Sequence, residues 1–260
     1  MRGEGVIDIK SMVIGYRGRK PDGVVVADIN ASLVRGEVVA LIGRNGAGKS
    51  TLLRTLAGYN RPLSGEMCYC GRKADAITAA ELSKMVSVVL TNGGCAPALT
   101  VRELVSLGRS PYTNFVGQMR PCDKERVEWA VAAIKIENIA ERRLSELSDG
   151  ERQKAMIAKA LAQETPVILL DEPTAYLDFN SRVALFRLLK KMAVEMNKAV
   201  LVSTHDLELV LRMADRLWLV DGGKLHCGTV KELSCTGVLK NFLDGEGIFY
   251  NEEKNILEIV

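Results

Sequence analysis

The chain has 260 residues, 47% of them apolar and 26% charged, ordinary figures for a globular protein with a sizeable core. A net charge of +3 is too mild to indicate nucleic acid, and 5% aromatic residues leave few platforms for stacked bases. No apolar run approaches the ~20 residues of a membrane span, and the opening MRGEGVIDIK has no leader-type apolar stretch, so a cytoplasmic chain is expected.

In chain order, VIDIKSMVIGY and VVVADINASLV alternate in the antiparallel style on either side of PDG (21–23). VVALIG (38–43) reads as a buried strand, followed by a glycine-rich turn and a helix starting near Gly48. SVVL (87–90), VILLD (167–171), AVLVST (199–204) and RLWLV (216–220) are further short apolar runs, with a helical pattern over 179–196. Their alternation predicts an α/β fold with a mostly parallel core sheet, preceded by an antiparallel β subdomain. The stretch from about 100 to 162 is helical in period throughout and predicts an inserted helical subdomain, drawn at roughly 92–162, inside a single domain spanning 1–260. Residues 237–260 read as a C-terminal tail. The six cysteines (68, 70, 95, 122, 227, 235) include a CxC but no CxxC, and are expected to be free thiols in a reducing compartment.

GRNGAGKST (43–51) matches G-x-x-x-x-G-K-[ST] between a strand and a helix. The glycines let backbone N–H groups converge on phosphate oxygens, helped by the helix dipole. Lys49 is expected to reach the β- and γ-phosphates, and the Ser50 hydroxyl to ligate Mg²⁺. VILLDEP (167–173) carries a strand to Asp171 at the sheet's C-terminal edge, where ligands sit in such folds. Asp171 is placed to hold Mg²⁺ through water, and Glu172 to polarise an attacking water. A GTPase would add an N-K-x-D guanine reader. NKAV (197–200) lacks the aspartate, which argues against guanine.

Four further stretches decide the family. LSDGERQ (147–153) resembles the signature of ABC ATPases. AYLD (175–178) resembles their aspartate loop, STHD (203–206) their switch-histidine loop, and Tyr16 the aromatic that stacks on adenine. Order and spacing match over essentially the whole chain. LTVRELVSLGRSPYTNF (99–115), with Asp123 opening a helix, looks like the ATPases of iron–siderophore, haem and vitamin B12 importers.

The resemblance implies an ATP- and Mg²⁺-dependent P-loop ATPase acting as a head-to-tail homodimer that sandwiches two ATP molecules. Gly43, Arg44, Asn45, Gly46, Ala47, Gly48, Lys49, Ser50 and Thr51 would cradle the phosphates. Ser50 and Asp171 would hold Mg²⁺, Glu172 would be the general base, and His205 would contact the γ-phosphate. Leu147, Ser148, Asp149, Gly150 and Glu151 would complete the partner's site, and Asp178 would touch the partner near its phosphate loop. Implied partners are transmembrane permease subunits and, indirectly, a periplasmic or lipoprotein substrate-binding protein, with this chain peripheral on the cytoplasmic face of the membrane. A soluble ABC ATPase of iron–sulfur cluster assembly is the alternative, but lacks the LGR-x-P(Y/H) stretch. DNA-repair relatives would add a long coiled coil, and no heptads appear.

Two positions depart from the family. Thr91, followed by Asn92, stands where a glutamine is usual, and offers a shorter, weaker Mg²⁺ ligand. Ala175 replaces a frequent serine. Asp149 and Glu151 also raise a question, because the signature must face a phosphate. Read locally, S-x-x-E is a capping box, with Ser148 at the N-cap, Glu151 at N3 and a helix through about Ala162.

Overall fold

The computed structural model describes residues 5–16, 18, 23–90, 97–114, 117–175, 177–245, 248–252, 254 and 256–259. Strands β1 (Gly5–Tyr16) and β2 (Gly23–Val34) form an antiparallel ribbon, and β3 (Val38–Gly43) leads through the glycine turn into α1 (Lys49–Leu56). β4 (Ser64–Tyr69) and β5 (Arg72–Lys73) join the ribbon at β1, and α2 (Ala79–Leu82) precedes β6 (Val86–Leu90). Then come α3 (Val101–Ser106), a 3₁₀ stretch Leu107–Tyr112, α4 (Pro121–Ile134) and α5 (Asp149–Ala162). β7 (Val167–Asp171), α6 (Phe179–Val194), β8 (Ala199–Ser203), α7 (Leu207–Met213), β9 (Arg216–Asp221) and β10 (Lys224–Gly228) follow. The chain closes with α8 (Val230–Cys235), α9 (Val238–Leu243) and the hairpin β11 (Ile248–Asn251)–β12 (Ile256–Ile259).

The central sheet runs β10-β9-β3-β8-β7-β6, parallel except for β10. Its inner strands are apolar along their length because both faces are covered. Val38, Ala40 and Ile42 of β3 pack with α5, α6 and the helical segment. Val39 and Leu41 pack on the opposite face with α1 and the β1–β2 ribbon. β7, β8 and β9 divide between the same two clusters with period two. The antiparallel ribbon, the mostly parallel sheet and the helical segment between β6 and β7, without a strand among its described residues, are the architecture that the pattern predicts. Helix α6 ends two residues before the predicted limit, and the following Asn197 takes a left-handed conformation, φ 51°.

The segment expected as a tail is structured. Tyr250 is buried, its hydroxyl lies 3.0 Å from Ser234 Oγ, and its N–H donates to Asp244 Oδ1 at 2.8 Å. Strands of four residues are too short to show periodicity from which to read this unit.

The stretch around LGRSPY does structural work. Arg109 and Asp123 are buried. Arg109 Nε and Nη2 donate to Asp123 Oδ1 at 3.1 and 2.9 Å, and Nη1 donates to Ala162 O at 2.8 Å and Glu164 Oε2 at 2.6 Å. Its guanidinium also lies over the Tyr112 ring, 4.1 Å from the centroid. One side chain therefore ties the 3₁₀ stretch, the start of α4 and the end of α5 together. Burial would push the Asp123 carboxyl up, but the Arg120 N–H and the Arg109 guanidinium outweigh it and hold it below the usual range. Gln163, just past α5, donates to Ser83 O and Val86 O at 2.6 and 3.2 Å, joining the same helix end to β6.

Candidate active site

Strands β3, β7 and β8 end side by side, with Leu41, Ser203 and Asp171 in lateral register. Parallel order brings their C-terminal ends to one edge, so the loops that follow converge. The loop after β3 needs its glycines for two different reasons. A Cβ on Gly43 would stand 2.7 Å from Val220 O, in strand β9. Gly46 and Gly48 have φ 78° and 112°, where side chains are strained, and a Cβ on Gly48 would also stand 2.5 Å from Val25 Cγ1. Gly48 caps α1 without a side-chain bond and the helix carries no acid of its own in the first turn, so none of its own side chains offsets its positive end there.

Lys49 is buried and its Nζ donates to Gly43 O at 2.9 Å and Arg44 O at 3.3 Å. Burial pushes its ammonium below the usual range, and the Glu172 and Asp171 carboxylates oppose that shift. Ser50 Oγ lies 3.4 Å from Asp171 Oδ1. A hydroxyl and a carboxylate are hard oxygen donors, so the pair fits Mg²⁺. No cluster of three or more His, Cys, Asp or Glu suited to a metal occurs among the described residues.

Glu172 and His205 meet at this edge. His205 Nε2 lies 2.8 Å from Glu172 Oε1, and both side chains are partly exposed. With Glu172 ionised, and therefore acceptor-only, the proton of that contact sits on Nε2. Glu172 has φ 47°, a left-handed conformation that is unfavourable without glycine. Its N–H donates to Ser203 Oγ at 2.9 Å and Ser203 O at 3.1 Å. Ser203 Oγ in turn donates to Asp171 Oδ1 at 2.7 Å. Beside them, the buried hydroxyls of Thr174 and Thr204 meet at 3.1 Å. The sequence reading assigns no role to these three hydroxyl residues, although Ser203 and Thr204 lie inside STHD.

Tyr16 presents a half-exposed ring, and its hydroxyl lies 3.0 Å from Thr51 Oγ1. Asp178 N-caps α6, accepting from Ser181 N and Oγ at 2.8 and 3.1 Å, bonds that hold its carboxyl below the usual range. Thr91 and Asn92 lie outside the described residues, as does Tyr176 of the aspartate loop.

The capping box at 148–151 is present. Ser148 N and Oγ donate to Glu151 Oε2 at 2.9 and 2.8 Å, and Glu151 N donates back to Ser148 Oγ at 3.3 Å. These bonds, with Arg142 behind them, hold the Glu151 carboxyl below its usual range. Asp149 points to a mostly exposed contact, Arg152 Nη1 at 3.4 Å. Both acids thus turn onto their own helix start. Leu147 is buried beneath them. Gly150 is helical, and among the described residues an added Cβ would meet Leu177 Cδ2 alone, at 3.7 Å, an ordinary contact that does not demand glycine. No hydrogen bond runs from 147–151 to 43–51.

Comparison with known proteins places this geometry. Residues 26–175 match the family model described as ABC transporter. An uncharacterized ABC transporter ATP-binding protein of Methanocaldococcus jannaschii is 44% identical over 220 residues, 85% of this chain and 74% of that one. The probable siderophore transport system ATP-binding protein YusV of Bacillus subtilis is 36% identical over 241 residues, 92% of this chain and 86% of the relative. Among solved structures, a dimeric ATP-binding cassette in a post-hydrolysis state with ADP and phosphate superposes with a TM-score of 0.73 and 28% identity, covering 86% of this chain and 98% of that one.

Proposed function

Given that the chain belongs to the ABC transporter family and is an ATP-binding, ATP-hydrolysing cassette, we propose that it energises an importer of iron–siderophore complexes, or of haem or cobalamin. The similarity to a siderophore transport protein supports that cargo class. Two copies would meet head to tail, as the dimeric cassette with ADP and phosphate suggests, and drive permease subunits from the cytoplasmic face of the membrane. A substrate-binding protein would deliver cargo outside. Among the described residues no helix is long and apolar enough to cross a membrane, which suits a peripheral subunit.

The observation that carries the catalytic reading is the 2.8 Å Glu172–His205 pair beside Asp171, Ser50 and the phosphate loop. Backbone N–H groups of 43–51 and Lys49 bind the β- and γ-phosphates, while the Tyr16 ring stacks on adenine. Ser50 and Asp171 hold Mg²⁺, which neutralises phosphate charge when bound. Glu172 accepts a proton from a water whose oxygen attacks the γ-phosphorus. The bond from that phosphorus to the β–γ bridging oxygen breaks, giving ADP and phosphate. His205 keeps its proton on Nε2, holds Glu172 in place and reaches toward the γ-phosphate. From the partner copy, Ser148 and the Gly150 backbone close the site, and Asp178 meets the partner's loop. Gly150 supports that role, since no contact among the described residues accounts for its lack of a Cβ. Thr91 contributes a weak ligand, and hydrolysis survives its departure from glutamine because base and loop are intact.

Glu172→Gln tests the assignment. It should bind ATP, stall hydrolysis and accumulate a dimer on sizing columns; hydrolysis at the wild-type rate would overturn it.

A further inference from the structure

We infer that Ser203 is a positioning residue for hydrolysis, its single hydroxyl setting both the Glu172 backbone and the Asp171 carboxylate. The inference rests on the roles proposed above for those two acids.

The residue is the last of β8 and fully buried. A serine hydroxyl has one proton and two lone pairs. Here the proton goes to Asp171 Oδ1 at 2.7 Å, and a lone pair takes the Glu172 N–H at 2.9 Å. The direction follows from chemistry, because the amide can only donate and an ionised carboxylate can only accept. Glu172 needs such a hold. Its φ of 47° is unfavourable for a side-chain-bearing residue and persists only where neighbours over-determine it. The left-handed turn reverses the chain straight after β7, and from there the carboxylate reaches His205 on the loop after β8. Ser203 O also accepts the same N–H at 3.1 Å, but that backbone bond would remain with any residue at 203. The hydroxyl is what adds the link to Asp171. Since Asp171 Oδ1 also faces Ser50 Oγ at 3.4 Å, one buried oxygen couples the metal-facing acid to the base. Ser203 thus orients both acids without itself touching substrate.

The test compares Ser203→Ala, Ser203→Cys and Ser203→Thr. The cysteine variant is nearly isosteric and a poor hydrogen-bonding partner, so it keeps the packing if alanine disturbs the fold. Both alanine and cysteine should lower kcat by roughly tenfold, the scale of one lost hydrogen bond at a reacting group, and change KM for ATP by less than about twofold. The Mg²⁺ concentration for half-maximal binding of a fluorescent ATP analogue, read without turnover, should rise by about threefold. Threonine, which keeps the hydroxyl, should restore both. On a Glu172→Gln background, Ser203→Ala should lower the residual rate by a smaller factor than in the wild type, because one of the two groups it positions is already gone and only its hold on Asp171 remains. Wild-type kcat and Mg²⁺ response in folded Ser203→Cys would overturn the inference, as would full additivity with Glu172→Gln. If Glu172→Gln itself hydrolyses normally, the base assignment fails instead, whatever Ser203 does.

Discussion

Replacing Arg109 with methionine removes a charge while keeping most of the apolar stem. Asp123, with no exposed surface, then loses both guanidinium bonds and keeps the Arg120 N–H at 3.0 Å and Arg120 Nε at 3.3 Å. Breaking a buried ion pair from one side costs ~3–5 kcal/mol, because the remaining charge is stranded. The surviving Arg120 bonds place this case at the lower end, about 3 kcal/mol. For a chain of this size each kcal/mol shifts Tm by about 2–4 °C, so Arg109→Met should melt about 6–12 °C lower. The double variant Arg109→Met/Asp123→Asn, with no stranded charge, should recover more than half of that loss. Acid unfolding gives a second reading. The folded-state pKa of Asp123 lies below its unfolded value, so its contribution is complete above the unfolded pKa and disappears as pH falls through the folded one. Without Arg109 the folded value rises, and destabilisation should begin at higher pH than in the wild type. Thermal melts of the two variants across pH 3–7 measure all of this. A fall in Tm below about 2 °C, or a double variant no better than the single, would refute the account of this network.

Two further outcomes follow from the site. Gly48→Ala places a Cβ 2.5 Å from Val25 Cγ1 at φ 112°, whereas Gly46→Ala meets no atom within 4 Å and carries only its positive φ. Equilibrium titration with labelled ATP should therefore show the first variant without measurable binding and the second weakened by about tenfold or less; equal losses would mean that the Val25 contact is irrelevant. Asp149→Gly removes an exposed carboxylate from the signature helix start, and should lower the ATP concentration for half-dimerisation by about two- to fivefold. Light scattering that showed a weaker dimer would mean that the acid's contribution to starting α5 dominates.

Local chemistry made much of this legible before the structure. β3 and β7 were readable to the residue because a fully buried parallel strand is an unbroken apolar run closed by a glycine or an acid. The Ser148–Glu151 capping box was readable because both partners lie within one helical turn. What escaped was of three kinds. Arg109 and Asp123 stand 14 residues apart, across elements with no shared period, so only the fold brings them together. They entered the sequence reading as a family resemblance, and the packing supplies its physical content. Ser203 escaped for the opposite reason. It sat inside a motif already noticed for His205, and nothing in a lone hydroxyl announces that two neighbouring acids depend on it. The C-terminal unit escaped because α9 and the β11–β12 hairpin are too short to show periodicity of their own.

Helix α5 can also be considered as a lever. Its 14 residues span about 21 Å, with Ser148 at one end and, at the other, the Ala162 carbonyl held by Arg109. A rigid rod pinned at one end magnifies angular error: a tilt of about 5° there would carry Ser148 nearly 2 Å sideways, more than a hydrogen bond to a phosphate oxygen tolerates. The position of the Ser148 hydroxyl is therefore sensitive to a guanidinium a whole helix away, as well as to the Arg142–Glu151 ion pair beside it.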